Sequence, residues 1–507
     1  MARQSPAKLL KRTEKAFSDR DANRNLFVDC YELYSPYRNT LSRSGPDFNE
    51  PTKQYDSTGQ ISAANFVNTI QREFTPPFTQ WSMLKSGPGV PEDQKPGLNK
   101  QLEKITDTFF AYLNACNFAT ASAEMYFEWG IGTGCLWFYE GDEVNPFNFV
   151  ASPISEMGIS TGKYGTIDFR CRRYKLKQNM ITETWPKATL PSTINVEHEP
   201  EKEVDITECF YFDYETLAYC YDVICEKELI HYENFAEDIC FTPRWLKIPG
   251  FSYGVGPFLF ALADVKTINK LKEFLLRSAA LDVAGVYTIV GDGAINPNTV
   301  NIAPNTFIPV ERNGGENGPS IDRLDTTTNF ELQEYMANGL QDQIRKTLFD
   351  NRLPAETPQP KTAFEIAMRM REFQTDIGSA FGNGYFEFVQ PLWKRGLSIL
   401  MKKGLIELPP GFTIDNFFIQ VQVISPIAQA QQSEQVQKFM QQYAMTQSIN
   451  PQLALTRYKV EDVPKWLTEM MGTPAKLLRD DAEAGEIEKM VATIIAQTQQ
   501  AEQGAAA

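Results

Sequence analysis

His198 and His231 are the only histidines in the 507 residues, which narrows the acid–base and metal chemistry open to the chain. His198 lies in the run VEHEPEKEVD beside Glu197, Glu199 and Glu201. Those residue types can ligate a metal. A charge run of this kind is also the composition of a solvated acidic loop. His231, in LIHYENF, reads as a residue at a strand end. The eight cysteines (30, 116, 135, 171, 209, 220, 225 and 240) form no Cys-x-x-Cys pair and no zinc-type spacing. Several sit in apolar runs, where a thiol behaves as a small hydrophobe. There is no Gly-x-x-x-x-Gly-Lys-Ser/Thr loop and no Gly-x-Ser-x-Gly elbow. Gly132-Thr133-Gly134 and Gly254-Val255-Gly256 lack the third glycine and the strand–helix context of a dinucleotide site, so they read as turn glycines. Asp264, Glu273 and Asp282 are spaced nine residues apart, off adjacent helical turns. The expectation is a non-enzymatic protein with no cofactor and no metal.

Charge placement says more than motifs do. The chain carries a net −15, which argues against coating nucleic acid by bulk charge. Between Glu183 and Cys240, however, fifteen acids face only three bases, a local −12. Lys266, Lys270, Lys272 and Arg277 give residues 256–281 a net +2, and residues 362–404 also reach +2. Arg345, Lys346, Arg352 and Lys361 flank a proline-rich stretch. These bases read either as ordinary solvated helix faces or as modest positive charge turned toward a polyanion. The N-terminus has no apolar signal core, and no run of about 18 apolar residues is present. Synthesis and assembly in a cytoplasm follow, without a membrane partner.

The elements that would carry these residues are mostly helical. At 507 residues, with 42% hydrophobic composition, the chain is globular and long enough for about three or four folding units. Helical patterns cover residues 1–45, 61–74 and 98–130. Strand patterns cover Cys135–Glu140, Phe147–Ala151, Thr166–Tyr174, Glu208–Phe212 and Leu217–Cys225. GFSYGVGP at 250–257 then leads into a long amphipathic helix. A Gly-, Asn- and Pro-rich stretch with short strands follows at 282–325, and then a second helix with Leu332, Met336, Leu340, Ile344 and Leu348 four apart. Two long helices around a small β insertion predict a helical hairpin with a β tip. Residues 350–361 hold three prolines, Thr362 and Glu365 make a capping box, and Gly382-Asn383-Gly384 predicts a break or kink. A strand is expected at 417–424, and a Gln- and Ala-rich helical tail from 428.

Four segments resemble the portal proteins, or head-to-tail connectors, of short-tailed bacteriophages. They are Tyr55–Leu84 with its Asp-Ser-Thr-Gly start, Phe127–Asp142 with its Gly-Thr-Gly strand entry, Tyr253–Leu276, and Ile424–Gln431 followed by Ile-Asn-Pro at 449–451. Together they place the likeness over about residues 10–490. The family's Tyr-Gly-Arg-Gly-Pro has Val255 in the arginine position here.

The resemblance implies an α+β, mainly helical portal fold assembled as a ring, with wing, two-helix stem, small β clip and helical crown. Residues 1–255 would be N-terminal helices and a strand-rich wing, 256–281 and 329–349 the stem helices, and 282–328 the clip. Residues 350–361 would be the tunnel loop, 362–427 further wing elements, and 428–507 the crown. It implies a homo-oligomer, by family habit of twelve copies, at one capsid vertex of the virion between capsid and tail. Double-stranded DNA would pass through it without sequence readout. The terminase large subunit, the major capsid protein and a tail adaptor would be its partners. On this reading Arg345, Lys346, Arg352 and Lys361 are channel candidates, and Lys266, Lys270, Lys272 and Arg277 are stem candidates. The acidic 183–240 segment would lie in the outer wing, away from DNA. A ring-forming tail adaptor, or another structural virion protein that never nucleates heads, is the alternative.

Overall fold

The computed structural model describes residues 4–38, 54–91, 93–192, 194–196, 198–284, 287–289, 321–323, 330–350, 378–409, 417–424 and 426–449, with a few positions between 457 and 467. They form a mixed, mostly helical fold in two compact units. Unit one comprises residues 1–22, 67–256 and 354–507; unit two comprises 23–66 and 257–353.

Along the chain, helices α1 (Pro6–Asp21), α2 (Arg24–Tyr34) and α3 (Thr58–Phe74) come first, followed by strand β1 (Ser82–Ser86). The expected helix over 98–130 is two, α4 (Lys95–Ala115) and α5 (Phe118–Ile131). The break falls at Asn117, whose side chain leaves helical bonding. It donates to the Phe149 carbonyl at 2.8 Å and accepts the Phe149 N–H at 3.0 Å. Strands β2 (Leu136–Glu140), β3 (Phe147–Ala151), β4 (Met157–Thr161) and β5 (Ile167–Lys177) follow, then the short α6 (Gln178–Thr184). Next come β6 (Glu203–Asp213), β7 (Ala218–Cys225), β8 (Glu228–Phe235) and β9 (Cys240–Phe241). His231 is therefore inside β8, opposite Val223, and not at a strand end.

In unit one, β4-β5-β6-β7-β8 make a five-stranded antiparallel sheet, and β3-β2-β9 make a smaller one. Helix α1 seals the larger sheet by placing Leu9, Ala16 and Phe17 on Phe169, Cys171, Cys209 and Tyr211. Each large apolar side chain so buried contributes roughly 1.5–3 kcal/mol. The smaller sheet lies in an aromatic core where Phe138 stacks on Phe149, with centroids 4.2 Å apart. Residues 378–384 are helical. They run without a break into a π turn at Tyr385–Val389 and then α9 (Gln390–Lys402). The helix is thus not broken at Gly382-Asn383-Gly384, and its irregularity is the π turn directly after them. Gly384 serves packing instead, because its missing side chain admits the rings of Phe74 and Trp129. Strand β12 (Ile419–Val423) pairs antiparallel with β1, more than 330 residues earlier, and α10 (Pro426–Ile449) opens the C-terminal region.

In unit two, α7 (Pro257–Ala284) and α8 (Phe330–Thr347) pack on each other and bracket strands β10 (Tyr287–Ile289) and β11 (Ile321–Arg323), which pair antiparallel. The helical hairpin with a β element at its tip is therefore observed. The remainder of the 282–325 stretch, and residues 351–377 with the prolines and the Thr362 capping box, lie outside the described residues.

Candidate functional site

The segments singled out in the sequence become two joints, one in each unit. The unit-two joint is polar. Asp56 Oδ1 accepts the Thr58 N–H at 2.9 Å at the start of α3, where the helix's unpaired N–H groups favour a carboxylate. Asn269 on α7 accepts the N–H groups of Tyr55 at 2.7 Å and Asp56 at 3.3 Å on one amide oxygen. Gln341 on α8 donates to Asp56 Oδ2 at 2.9 Å. Gly59 completes the joint, since a Cβ there would stand 3.0 Å from Val265 Cγ1 and 3.6 Å from the Leu33 carbonyl. One short segment therefore ties α3, α7 and α8 together. Beneath it, Tyr34 stacks on Phe258 at 4.8 Å and donates to the Phe258 carbonyl at 2.8 Å. Burial, with Cys30 and Asp264 adding, holds that phenol well above its ordinary pKa, so it is a permanent donor.

The C-terminus of α8 is fixed on the same unit. Phe349 has φ 55°, a left-handed backbone that bulky residues avoid. The Asp350 N–H reaches the Arg345 carbonyl at 2.8 Å, and the Phe349 N–H reaches that of Lys346 at 3.2 Å. This is the paired bonding of a Schellman cap with Phe where glycine is usual. Two things hold it: Phe349 stacks on Phe66, and Asp350 Oδ2 accepts from Asn65 at 2.8 Å and Ser62 at 3.2 Å. The chain therefore leaves α8 in a set direction.

The unit-one joint is built by omission. The two Gly-x-Gly fragments read as turn glycines cross each other at backbone contact. A Cβ on Gly132 would collide with the Gly254 carbonyl, one on Gly254 with the Gly132 carbonyl, and one on Gly256 with the Gly130 carbonyl. The Gly254 N–H donates to Thr133 Oγ1 at 2.8 Å, and the Gly256 N–H to the Ile131 carbonyl at 2.9 Å. Tyr253 is buried beside them, between the Met157 carbonyl and the Ile159 N–H, both 3.3 Å from its hydroxyl. Val255 is half-buried, and its N–H reaches the Leu246 carbonyl at 3.0 Å. Nearby, buried Arg244 pairs with Glu387 of the π turn at 2.6 Å and donates to the Gly165 carbonyl at 2.9 Å. Asn383 donates to the Trp245 carbonyl at 3.1 Å. Arg244 and Glu387 carry no sequence signal, being 143 residues apart and part of no motif.

The basic candidates divide sharply. Lys266 pairs with Asp29, and Lys270 and Arg277 both reach Glu273, at 2.8 Å and 2.5 Å. Arg345 pairs with Asp342 at 3.1 Å. Lys272 and Lys346 make no ion pair with any described residue, and Lys346 is exposed. Arg352 and Lys361 lie outside the described residues. The structure thus brings Lys266, Lys270 and Arg277 together with acids and leaves Lys272 and Lys346 without an ionic partner among the described residues. In the acidic segment, Glu208 and Asp222 are buried. Glu208 accepts from Tyr139 and Tyr221, each at 2.9 Å, and Asp222 accepts from Tyr211 at 3.0 Å. The acids of this segment are therefore not all on the surface. His198 sits exposed on a turn. Among the described residues no group of three or more His, Cys, Asp and Glu could hold a metal, and no helix is long and apolar enough to cross a membrane. All eight cysteines are free and seven are buried. Burial pushes the thiols of Cys116 and Cys225 up to about 11, so they are poor nucleophiles.

A family profile described as "Bacteriophage head to tail connecting protein" matches residues 6–478. No individually curated protein sequence matches significantly. Among solved structures, the chain is similar to a component of the virion of a native gene transfer agent particle. The identity is 12% over 76% of this chain and 87% of that one, with a TM-score of 0.34. It is also similar to a component of the neck of an empty gene transfer agent particle, at 11% identity over 75% and 86% of the two chains, again with a TM-score of 0.34.

Proposed function

The chain belongs to the bacteriophage head-to-tail connecting protein family, and from that premise we propose that it is the portal of a phage head, a closed homo-oligomeric ring of about twelve copies by family habit. It is a structural protein of the virion, at the connection between head and tail. In the proposed role it sits at one capsid vertex against the major capsid protein, docks the terminase large subunit during packaging, passes double-stranded DNA inward and later outward, and then holds a tail adaptor. The family match over nearly the whole chain carries this reading. Its four motif segments, in order, and the helical hairpin with a β tip are consistent with it.

Within this reading, α7 and α8 are the stem, the β10–β11 region the clip, residues 350–361 the tunnel loop, the strand-rich part of unit one the wing, and α10 onward the crown. DNA contact in a conduit must be independent of sequence and weak per copy, because tight binding would stall translocation. Sparse lysines such as Lys272 and Lys346, which have no ionic partner among the described residues, repeated around a ring, suit that requirement better than a dense basic patch. Arg352 and Lys361 extend the same proposal to the loop. The energy for packaging comes from a separate ATPase, in keeping with the missing P-loop. The test is complementation of a phage lacking its portal gene. Wild-type chain is expected to restore DNA-filled, tailed heads. Normal closed, DNA-filled heads in its absence would sink the reading.

A further inference from the structure

Cys135 and Cys240 stand where the chain leaves to build the five-stranded sheet and where it comes back. Cys135 directly precedes β2, Cys240 opens β9, and β4 to β8 all lie between them. The ladder closing this neck is short: β2 and β9 share two residue pairs, Leu136 with Phe241 and Trp137 with Cys240. Cys135 is two residues from Trp137, so the period of a strand puts it on the face that carries Cys240. The two sulfurs meet there, 3.7 Å apart, and both residues are buried.

A second cysteine pair is an internal control. Cys171 and Cys209 are directly opposite each other on β5 and β6. Their sulfurs are nevertheless engaged elsewhere: Cys171 donates to the Gly158 carbonyl at 3.3 Å, and Cys209 Sγ lies 3.5 Å from Thr13 Oγ1. The sulfurs of Cys135 and Cys240 contact each other instead. The Arg170 guanidinium, which interacts with both, is buried. It donates to Asp238 at 2.8 Å and Thr242 at 3.0 Å, while its Nη1 has no hydrogen-bond partner among the described residues. Burial, and next the facing Cys135, hold the Cys240 thiol well above its ordinary pKa, and the positive charge of Arg170 acts the other way. Such a pair reacts slowly, and with small oxidants.

We propose that Cys135 and Cys240 are a redox clasp: two thiols while the chain is in a reducing cytoplasm, and one disulfide once the virion meets an oxidising medium that supplies a peroxide. One thiolate attacks the peroxide, so that an S–O bond forms, the O–O bond breaks, and the departing oxygen takes up a proton and leaves as water. The second thiol then displaces the sulfenic oxygen, so that the S–S bond forms, the S–O bond breaks, and a second water leaves. Two thiols are oxidised and one peroxide is reduced to two waters. The bond ties the neck covalently and closes a loop that contains the whole five-stranded sheet. The constraint that a disulfide places on the unfolded chain grows with the length of that loop. The pairing stands on the geometry alone, and only its timing rests on the connector reading.

The test treats the full chain, purified under reducing conditions, with hydrogen peroxide, alkylates the remaining thiols after denaturation, and maps the peptides without reduction. A Cys135–Cys240 disulfide in most molecules is expected, with Cys171 and Cys209 still thiols. The melting temperature should rise by about 5 °C, and dithiothreitol should reverse the rise. Cys135→Ala and Cys240→Ala should each abolish the peroxide-induced rise, whatever their own melting temperatures. Cys135 and Cys240 left separate, whether alkylated or singly oxidised, or bonded to other cysteines, would overturn the clasp. A second arm maps the chain from cells alkylated before lysis and from released particles, where thiols are expected in the first and the disulfide in the second. Thiols in both would overturn the switch. Absence of the chain from particles would instead overturn the connector reading and leave the result on the purified chain standing.

Discussion

The joint at Gly132 and Gly254 and the joint at Asp56 and Asn269 solve the same mechanical problem by opposite means. In unit one, two backbones touch because nothing projects from either. In unit two, a segment is held off its neighbours by side chains that reach across and hydrogen-bond. The first should be brittle, since any added atom must displace backbone. The second should be graded, since each polar link can be removed singly.

The largest effect should follow Gly254→Ala or Gly132→Ala. A methyl group placed on a carbonyl oxygen has no rotamer escape, and a loss of about 3 kcal/mol or more is expected, seen in thermal melts or as failure to obtain soluble protein. An unchanged melting temperature would show that the crossing can open, and the contrast between the joints would collapse.

This brittle joint was only half legible in the sequence. The glycines stood out, and the missing third glycine pointed away from a dinucleotide reading. Nothing local in either fragment says that Gly132 meets Gly254, because the contact spans more than a hundred residues. The same limit hid β1, whose partner β12 lies beyond every helix of the first half. It hid β8 for another reason: its Glu, His and Asn belong to an edge strand with one wet face, so the strand pattern is diluted. By contrast α7, α8 and the β2–β3 hairpin declared themselves by period, because their burial is set by near neighbours. Charge was legible as composition but not as pairing. Lys266, Lys270 and Arg277 looked available for a polyanion until Asp29 and Glu273 were found against them.

Next in size is Asn269→Ala. It leaves the Tyr55 and Asp56 N–H groups without their acceptor, and a loss of about 2 kcal/mol is expected in denaturant melts. A loss matching that of the glycine variants would mean that the polar joint is as brittle as the other. Asp350→Ala should cost about 1 kcal/mol, since Asn65 and Asp350 are only partly buried and water can replace the carboxylate for Asn65, while fully buried Ser62 loses a weaker, 3.2 Å partner. It should also raise protease sensitivity just after α8 more than it lowers the melting temperature.

Smallest for stability are Lys272→Ala and Lys346→Ala, each expected within about 0.5 kcal/mol of wild type because neither lysine is paired with a described residue. Their effect should appear instead in the amount of DNA retained per particle and in a shallower salt dependence of DNA binding. Equal loss of stability and of DNA retention would return both residues to an ordinary structural role.

The central claim is that copies of this chain close into a ring around a DNA-wide hole. Electron micrographs of the purified protein, averaged with no symmetry imposed, test it most directly. Closed rings of uniform copy number with a central opening wide enough for a double helix are expected. A strictly monomeric species under all conditions, or open chains that never close, would contradict it.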